Sequence, residues 1–489
     1  MRVLLIFPPS VATDTTVGFI SVGQPLGVAY LAAAVREAGH EVAILDALEE
    51  GFVEGAERPT REPFPVQRVS AGFAQRVPLG PPYPEGSFTV GLTVDQVLER
   101  VRDFRPDVVG VSCIFTSVAL ISHEICRRVK ALDPNIVTIM GGTHPSGQQK
   151  ETLTRDGGVD YVCWGEGEAS FVALLAALER GERRPSIPGI CFKDADGQPV
   201  LNPPAFVPSL DAIPFPAFDL LPMERYFNTA AEGRIVKMIT SRGCTYNCSF
   251  CSVPYMSQRT FRVRSPENVL AEIDRWVGTY GIQGIMFEDD NLTLNVKRAH
   301  ALFEGIAERD YGLKLYARNF RADLFDLHML KTMKRAGFDV IWITPESGNQ
   351  QVLDEVIDKK FDLRDVDESV VLMKQAGLRV GAAFVIGLPE ESRSDINDTV
   401  AYARKLKDLG VDHFWFSIAT PIAGTRLYDT AVERGLIQGV DLEHFSYYEG
   451  QLSTDEWTAQ ELVRLRNDLM DELNGYHRRV LPGAQSAGL

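Results

Sequence analysis

The stretch "SRGCTYNCSFCSVP", residues 241–254, sets Cys244, Cys248 and Cys251 at a CxxxCxxC spacing. It continues from the apolar run "RIVKMITS" at 234–241, which reads as a strand. Three thiolates so spaced can wrap one corner of a cubane iron–sulfur cluster, each binding one iron and leaving a fourth without a protein ligand. A metal site with an open position takes an exchangeable ligand and usually does chemistry. Structural zinc wants four ligands, and no nearby Cys or His supplies one. Haem attachment would need Cys-x-x-Cys-His, but Ser252 follows Cys251. Incidental buried thiols rarely fall at this spacing after a strand, so the cluster reading is favoured.

Strands and helices alternate downstream. Helix "SPENVLAEIDRWVGTYG" opens at a Ser265-Pro266 cap, and strand "GIMFED" follows. Next come a helix after Asn295, strand "KLYARN", helix "DLHMLKTMKRAG" and strand "FDVIWIT". Helical pieces over 350–377, strand "RVGAAFVIG", helix "SDINDTVAYARKLKDLG" and strand "DHFWFSI" complete the series. Six βα units predict a partial (β/α)6 barrel over 228–436, open where eight strands would close. Barrels place chemistry at the C-terminal strand ends, and the cysteines follow the first strand directly. Residues 437–489 read as a helical extension.

Upstream, five apolar runs alternate with helices: "RVLLIF", "EVAILD", "DVVGVSC", "IVTIMGG" and "VDYVCWG". Strands apolar throughout are covered on both faces. They predict an α/β doubly wound, Rossmann-like sheet over 1–182, in flavodoxin-like order. A proline-rich insertion at 58–88 is too long for an ordinary βα connection. Proline-rich residues 183–227 read as a linker carrying one hairpin, turning at Asp196-Gly197.

At roughly 100–200 residues per domain, the 489 residues suit this multidomain division. The formal net charge of −16 gives an acidic surface that repels phosphate backbones, which argues against a nucleic-acid partner. No secretory signal and no apolar stretch long enough to span a membrane is seen, so a cytoplasmic location with no membrane partner is expected. Thiols stay reduced there, which favours metal chemistry for clustered cysteines. Cys113, Cys126, Cys163 and Cys191 are scattered and read as inert buried thiols.

CxxxCx(aromatic)C, with Phe250 as the aromatic, resembles the radical S-adenosylmethionine (SAM) enzymes. The likeness extends along the barrel through "FEDDNLTLN", "YARNFRAD", "PESGNQQVL", "FVIGLPEES" and "TPIAGT". It implies a [4Fe–4S] cluster on Cys244, Cys248 and Cys251, and SAM held near Phe250, Asp289, Asp290, Arg321, Glu346, Ser347 and Gly387. In that family an electron from the cluster splits the sulfonium, giving methionine and a 5′-deoxyadenosyl radical that removes hydrogen from an unactivated carbon. The resemblance also implies an external electron donor of flavodoxin or ferredoxin type.

The N-terminal pieces "FPPS", "QPLGVAYLAA", "VGVSCIFTS", "GGTHPS" and "WGEGE" resemble the cobalamin domain of class B radical methyltransferases and of the anaerobic porphyrin-ring cyclase. That likeness places Pro9, Ser112, Thr116, Gly141, Gly142, Gly165, Glu166 and Gly167 near cobalamin. The Asp-x-His-x-x-Gly motif that donates an axial histidine is absent, so no histidine below cobalt is expected; His144 reads as a packing or surface residue. A docking domain without cofactor is the plainer alternative. The function expected is methyl transfer from methylcobalamin to an unactivated carbon of a small molecule, with cyclisation or rearrangement as the alternative. The insertion and the C-terminal helices are candidate covers for the site, and Tyr447-Tyr448 candidate substrate contacts.

Overall fold

The computed structural model describes residues 1–13, 22–52, 76–79, 83, 86–226, 233–318, 320–437 and 450–475. Strands β1 (Arg2–Phe7), β2 (Glu41–Asp46), β3 (Val108–Ser112), β4 (Val137–Gly141) and β5 (Tyr161–Cys163) pair in parallel in the order β2-β1-β3-β4-β5. This is the flavodoxin-like order expected from the alternation. Helices α1 (Leu26–Glu37) and α4 (Gly167–Glu179) lie together on one face, and α2 (Val94–Phe104) and α3 (Ala119–Leu132) on the other. Leu4 and Ile6 therefore bury toward α2 and α3 while Val3 and Leu5 bury toward α1 and α4, which is why the strand shows no polar alternation.

The expected hairpin forms, from β6 (Ile190–Lys193) and β7 (Pro199–Val200). Asp194 Oδ1 accepts from the backbone N–H of Asp196 and Gln198, and Gly197 takes φ 78° in the turn. Rather than standing free in a connecting segment, β6 pairs antiparallel with β5 and extends the sheet. An unpaired strand edge is otherwise left open to other chains. Residues Ser10–Ala12, Arg76–Pro78 and Phe88–Val90 form a separate small antiparallel sheet. Most of the proline-rich insertion, and Tyr447-Tyr448, lie outside the described residues.

The barrel strands are β8 (Ile235–Met238), β9 (Gly284–Phe287), β10 (Lys314–Ala317), β11 (Val340–Glu346), β12 (Arg379–Ile386) and β13 (His413–Ile418). They run parallel in sequence order, with the bridges Leu315↔Phe338 and Phe320↔Ile343 joining the first three to the last three. Their helices are α5 (Pro266–Tyr280), α6 (Val296–Arg309), α7 (Leu327–Ala336), α8 (Leu363–Gln375) and α9 (Arg393–Asp408). The cap expected at Ser265 is present, and Asn295 caps the helix expected after it, each side chain accepting from the backbone N–H three residues on. Helix α10 (Ala459–Asn474) of the C-terminal extension packs on the last strand: the Asn474 side chain accepts from Phe414 N (2.8 Å) and donates to Phe414 O (3.1 Å). This helix thus covers the edge strand at the opening. Among the described residues, no helix is long and apolar enough to cross a membrane.

Candidate active site

The cysteine loop is held from several sides. Thr240, just past β8, donates its backbone N–H (3.1 Å) and hydroxyl (2.7 Å) to Asp289, and the Ser241 hydroxyl donates to the same carboxylate at 2.5 Å. Asp290 accepts from Gly243 N at 2.7 Å. Gly243 sits at φ 88°, and a Cβ there would lie 2.0 Å from Thr260 O, so the residue before the first cysteine must be glycine. Burial pushes the Asp289 and Asp290 carboxyls above their ordinary range against these hydrogen bonds. Beyond the loop's first turn, Arg321 lies 3.6 Å over the Tyr246 ring while donating to Lys359 O at 2.8 Å. Ser249 N donates to Ile357 O and Leu427 N to Ser249 O, both at 2.9 Å.

Cys244, Cys248 and Cys251 are half-buried free thiols on this loop. Burial pushes Cys251 up to about 12 and raises Cys248 as well. Beside Cys248 stands a buried ion pair: Lys359 Nζ lies 2.7 Å from Glu346 Oε1 and also donates to Thr344 O (2.6 Å) and Thr344 Oγ1 (2.8 Å). Glu346 ends β11 after a register shift, at φ 69°. A non-glycine residue held there costs on the order of 1–3 kcal/mol, the kind of strain that gathers at functional sites.

A cavity of about 410 Å³ lies where the two sheets meet. Ser112, Ile114, Gly141, Gly142, Gly165, Glu166 and Gly167 line it from the doubly wound domain; Ser241, Arg242, Gly243, Ser252, Glu288 and Asp290 line it from the barrel. Gly243 and Ser252 flank the cysteine triplet, so the cavity reaches the cysteine loop. Its inner end runs between the sheet and helices α1 and α4, over Leu5, Gly110, Ile139 and Phe171. A Cβ at Gly110 would come 2.8 Å from Leu5 Cδ2, whereas one at Gly27 of α1 would meet no atom within 4 Å.

Charged residues seam the two domains at the cavity wall. Arg262 donates to both oxygens of Glu166 (2.7 and 2.8 Å), and Arg242 pairs with Glu168 at 2.6 Å and Glu166 at 3.4 Å. Burial alone would raise the Glu166 carboxyl, but Arg262 and Arg242 hold it below the ordinary value.

The structure brings only some of the expected residues together. Asp290 faces the cavity, whereas Asp289 is enclosed and spends its oxygens on Thr240 and Ser241. Ser347 is buried, its hydroxyl bonded to Thr399 at 3.0 Å, and it does not line the cavity. Gly387 (φ 87°) backs onto α10, where a Cβ would meet Leu462 at 2.4 Å. Arg321 is buried against Tyr246, and Phe250 packs on the barrel core. Pro9 packs against Gly91, and Thr116 meets His144 Nδ1 at 3.2 Å; neither lines the cavity. His144 is buried, and desolvation pulls its pKa down to about 4. Arg242, Arg262, Glu288 and Lys359 were not expected. Arg242, two residues before Cys244, and Glu288, directly before Asp289 in "FEDDN", carried a positional hint.

A doubly wound domain set against an open barrel with a three-cysteine loop defines a class of two-domain radical enzyme. Comparison with known proteins agrees: the Radical SAM superfamily model matches residues 238–403 and the B12 binding domain model residues 87–175. An uncharacterised methyltransferase of Pyrococcus horikoshii, PH0819, is 30% identical over 95% of this chain and 90% of its own length. Cytidylyl-2-hydroxyethylphosphonate methyltransferase of Streptomyces wedmorensis is 28% identical over 93% of this chain and 87% of its own. The radical SAM methyltransferase TsrM of Kitasatospora setae, solved with cobalamin and a [4Fe–4S] cluster, shares the fold: TM-score 0.66 at 18% identity, covering 88% of this chain and 78% of that one. The chain belongs to the cobalamin-dependent radical SAM methyltransferase family, and its cofactors are a [4Fe–4S] cluster, SAM and cobalamin.

Proposed function

We propose that this enzyme moves a methyl group from cobalamin to an unactivated carbon of a small-molecule substrate. The observation that carries this reading is a cavity shared by the two domains. A methyl donor and a hydrogen-abstracting radical must reach one substrate carbon, and the glycine-rich strand ends of one sheet face the cysteine loop of the other across that space. When bound, the cluster and SAM supply the radical and cobalamin carries the methyl group.

The residues present fit these groups. Three cysteines on a loop fixed by Asp289, Asp290 and Arg321 suit a cluster with one open iron. Asp290 and Glu346 are the carboxylates suited to the SAM amine and ribose side, while Lys359 fixes Glu346. Gly141, Gly142, Gly165 and Gly167 let backbone approach a large flat ligand closely. Phe115, 53% exposed beyond the end of β3, offers it an apolar face. The slot under α1 suits an apolar part of the same ligand. Glu166 and Glu168, through Arg242 and Arg262, hold the two domains in register so that the cavity keeps its shape. An external low-potential electron donor is required, and the acidic surface argues against nucleic acid as substrate.

Replacing Gly27 with Phe tests the cobalamin slot. The side chain enters open space on a helix, so folding is expected to survive. Cobalamin retention is expected to fall about tenfold to a hundredfold, the equivalent of ~1–3 kcal/mol of overpacking. Absorbance of the purified, reconstituted protein reads this directly; unchanged retention would move the ligand elsewhere. The reaction itself is tested by anaerobic assay with SAM, reductant and candidate substrates. Methyl transfer yields both 5′-deoxyadenosine and S-adenosylhomocysteine with a methylated product. Substrate-dependent deoxyadenosine without S-adenosylhomocysteine would instead indicate cyclisation or rearrangement.

A further inference from the structure

On the outer layer of the barrel, away from the cavity, α6 and α7 bring together His300, Glu304 and His328. Among the described residues, this group has one ligand atom from each residue within 4.8 Å of the others. His300 and Glu304 stand one turn apart on α6, so they share a face. His328 is the second residue of α7, directly across. The pairing crosses between the helices: His328 Nε2 meets Glu304 Oε1 at 3.1 Å, and His300 Nε2 meets Asp326 Oδ2 at 2.9 Å.

Two separate ion pairs explain these contacts less well than a shared ligand does. The crossed pairing lays the two imidazole rings nearly parallel, centroids 5.4 Å apart and planes 16° apart. Two protonated rings at that distance repel each other, so the arrangement is poor for a pair of imidazolium–carboxylate bridges. Neutral rings and one carboxylate converging on a point are instead donors suited to zinc-class divalent ions. Asp326 adds a second feature. Its Oδ1 is fixed as the N-cap acceptor of Met329 N (2.8 Å) while Oδ2 holds the His300 ring. A carboxylate on the imidazole is the usual orienting partner of a ligating histidine.

We propose that His300, Glu304 and His328 form a surface site for a divalent transition metal of the zinc class, which pins α6 to α7. The site is separate from the cluster loop, so binding there stabilises the barrel without taking part in the reaction. The test uses the full chain loaded with cluster and cobalamin, so that the cysteines are occupied. Equilibrium dialysis against Zn²⁺ is expected to leave about one more zinc per chain on the unsubstituted protein than on His300→Gln/His328→Gln. Zinc should also raise the melting temperature of the former and not of the latter. Equal zinc content and equal thermal shifts in the two proteins would overturn the proposal. If the double variant fails to load its cluster, His328→Gln alone serves, because that ring is 67% exposed. An undiminished zinc stoichiometry in that variant and in Glu304→Gln would likewise reject the site.

Discussion

Replacing any one of Cys244, Cys248 and Cys251 with Ala is expected to abolish formation of 5′-deoxyadenosine, a loss of roughly a thousandfold or more, as for residues that act as one unit. Iron and sulfide content after reconstitution should fall with it, while cobalamin retention stays, because the slot under α1 is built from other elements. A thiolate, not a thiol, ligates iron. Burial pushes Cys251 up to about 12 and raises Cys248, so in the absence of iron both stay protonated through neutral pH. Cluster assembly must therefore release protons, and its rate should rise as the pH is raised. A cysteine variant that keeps the brown cluster absorbance and its deoxyadenosine yield would refute the cluster assignment. Loss of cobalamin along with iron would show that the two halves of the site do not fold independently.

Lys359→Met is expected to give the next largest effect. Its ammonium is 5% exposed and spends all three protons on Glu346, Thr344 O and Thr344 Oγ1. Removing one partner of a buried pair leaves the other charge uncompensated, a loss of about 3–5 kcal/mol. Here that charge is Glu346, already held at φ 69° at the end of a bulged strand. Urea unfolding of the barrel should show the loss, and SAM affinity should drop about tenfold or more as Glu346 turns away. The double variant Lys359→Met/Glu346→Gln separates the two consequences. Stability should largely return, since neither charge of the pair remains, whereas SAM affinity should not. If the double variant binds SAM normally, Glu346 has no role in holding it and Lys359 is a purely structural residue.

Much of this is legible in the amino-acid sequence. The cysteine spacing pointed to the cluster, since thiolates at those offsets can each reach one iron of a cubane. Apolar runs without polar alternation, separated by helices, imply strands covered on both faces, and the flavodoxin-like order expected of them is the β2-β1-β3-β4-β5 observed. The hairpin at Asp196-Gly197 was equally plain from its turn residues. Its attachment to β5 was not, because pairing depends on which edge is left open.

The strand-end acids show the same division. "FEDDN" announces carboxylates after a strand, but only the fold separates Asp289, which fastens Thr240 and Ser241, from Asp290, which faces the cavity. In "WGEGE" the motif pointed to cobalamin, whereas the tertiary structure engages Glu166 and Glu168 with Arg242 and Arg262 across the domain seam. Lys359 lies in an unremarkable "DKK", and nothing local says that it reaches Thr344 and Glu346. The two domains, their order and the three cysteines proposed to hold the cluster could be read from the sequence, because periodicity, turn chemistry and metal-ligand spacing act over a few residues. The tertiary structure alone decided which polar side chains face the shared cavity and which brace it, because that depends on contacts between residues tens to hundreds of positions apart.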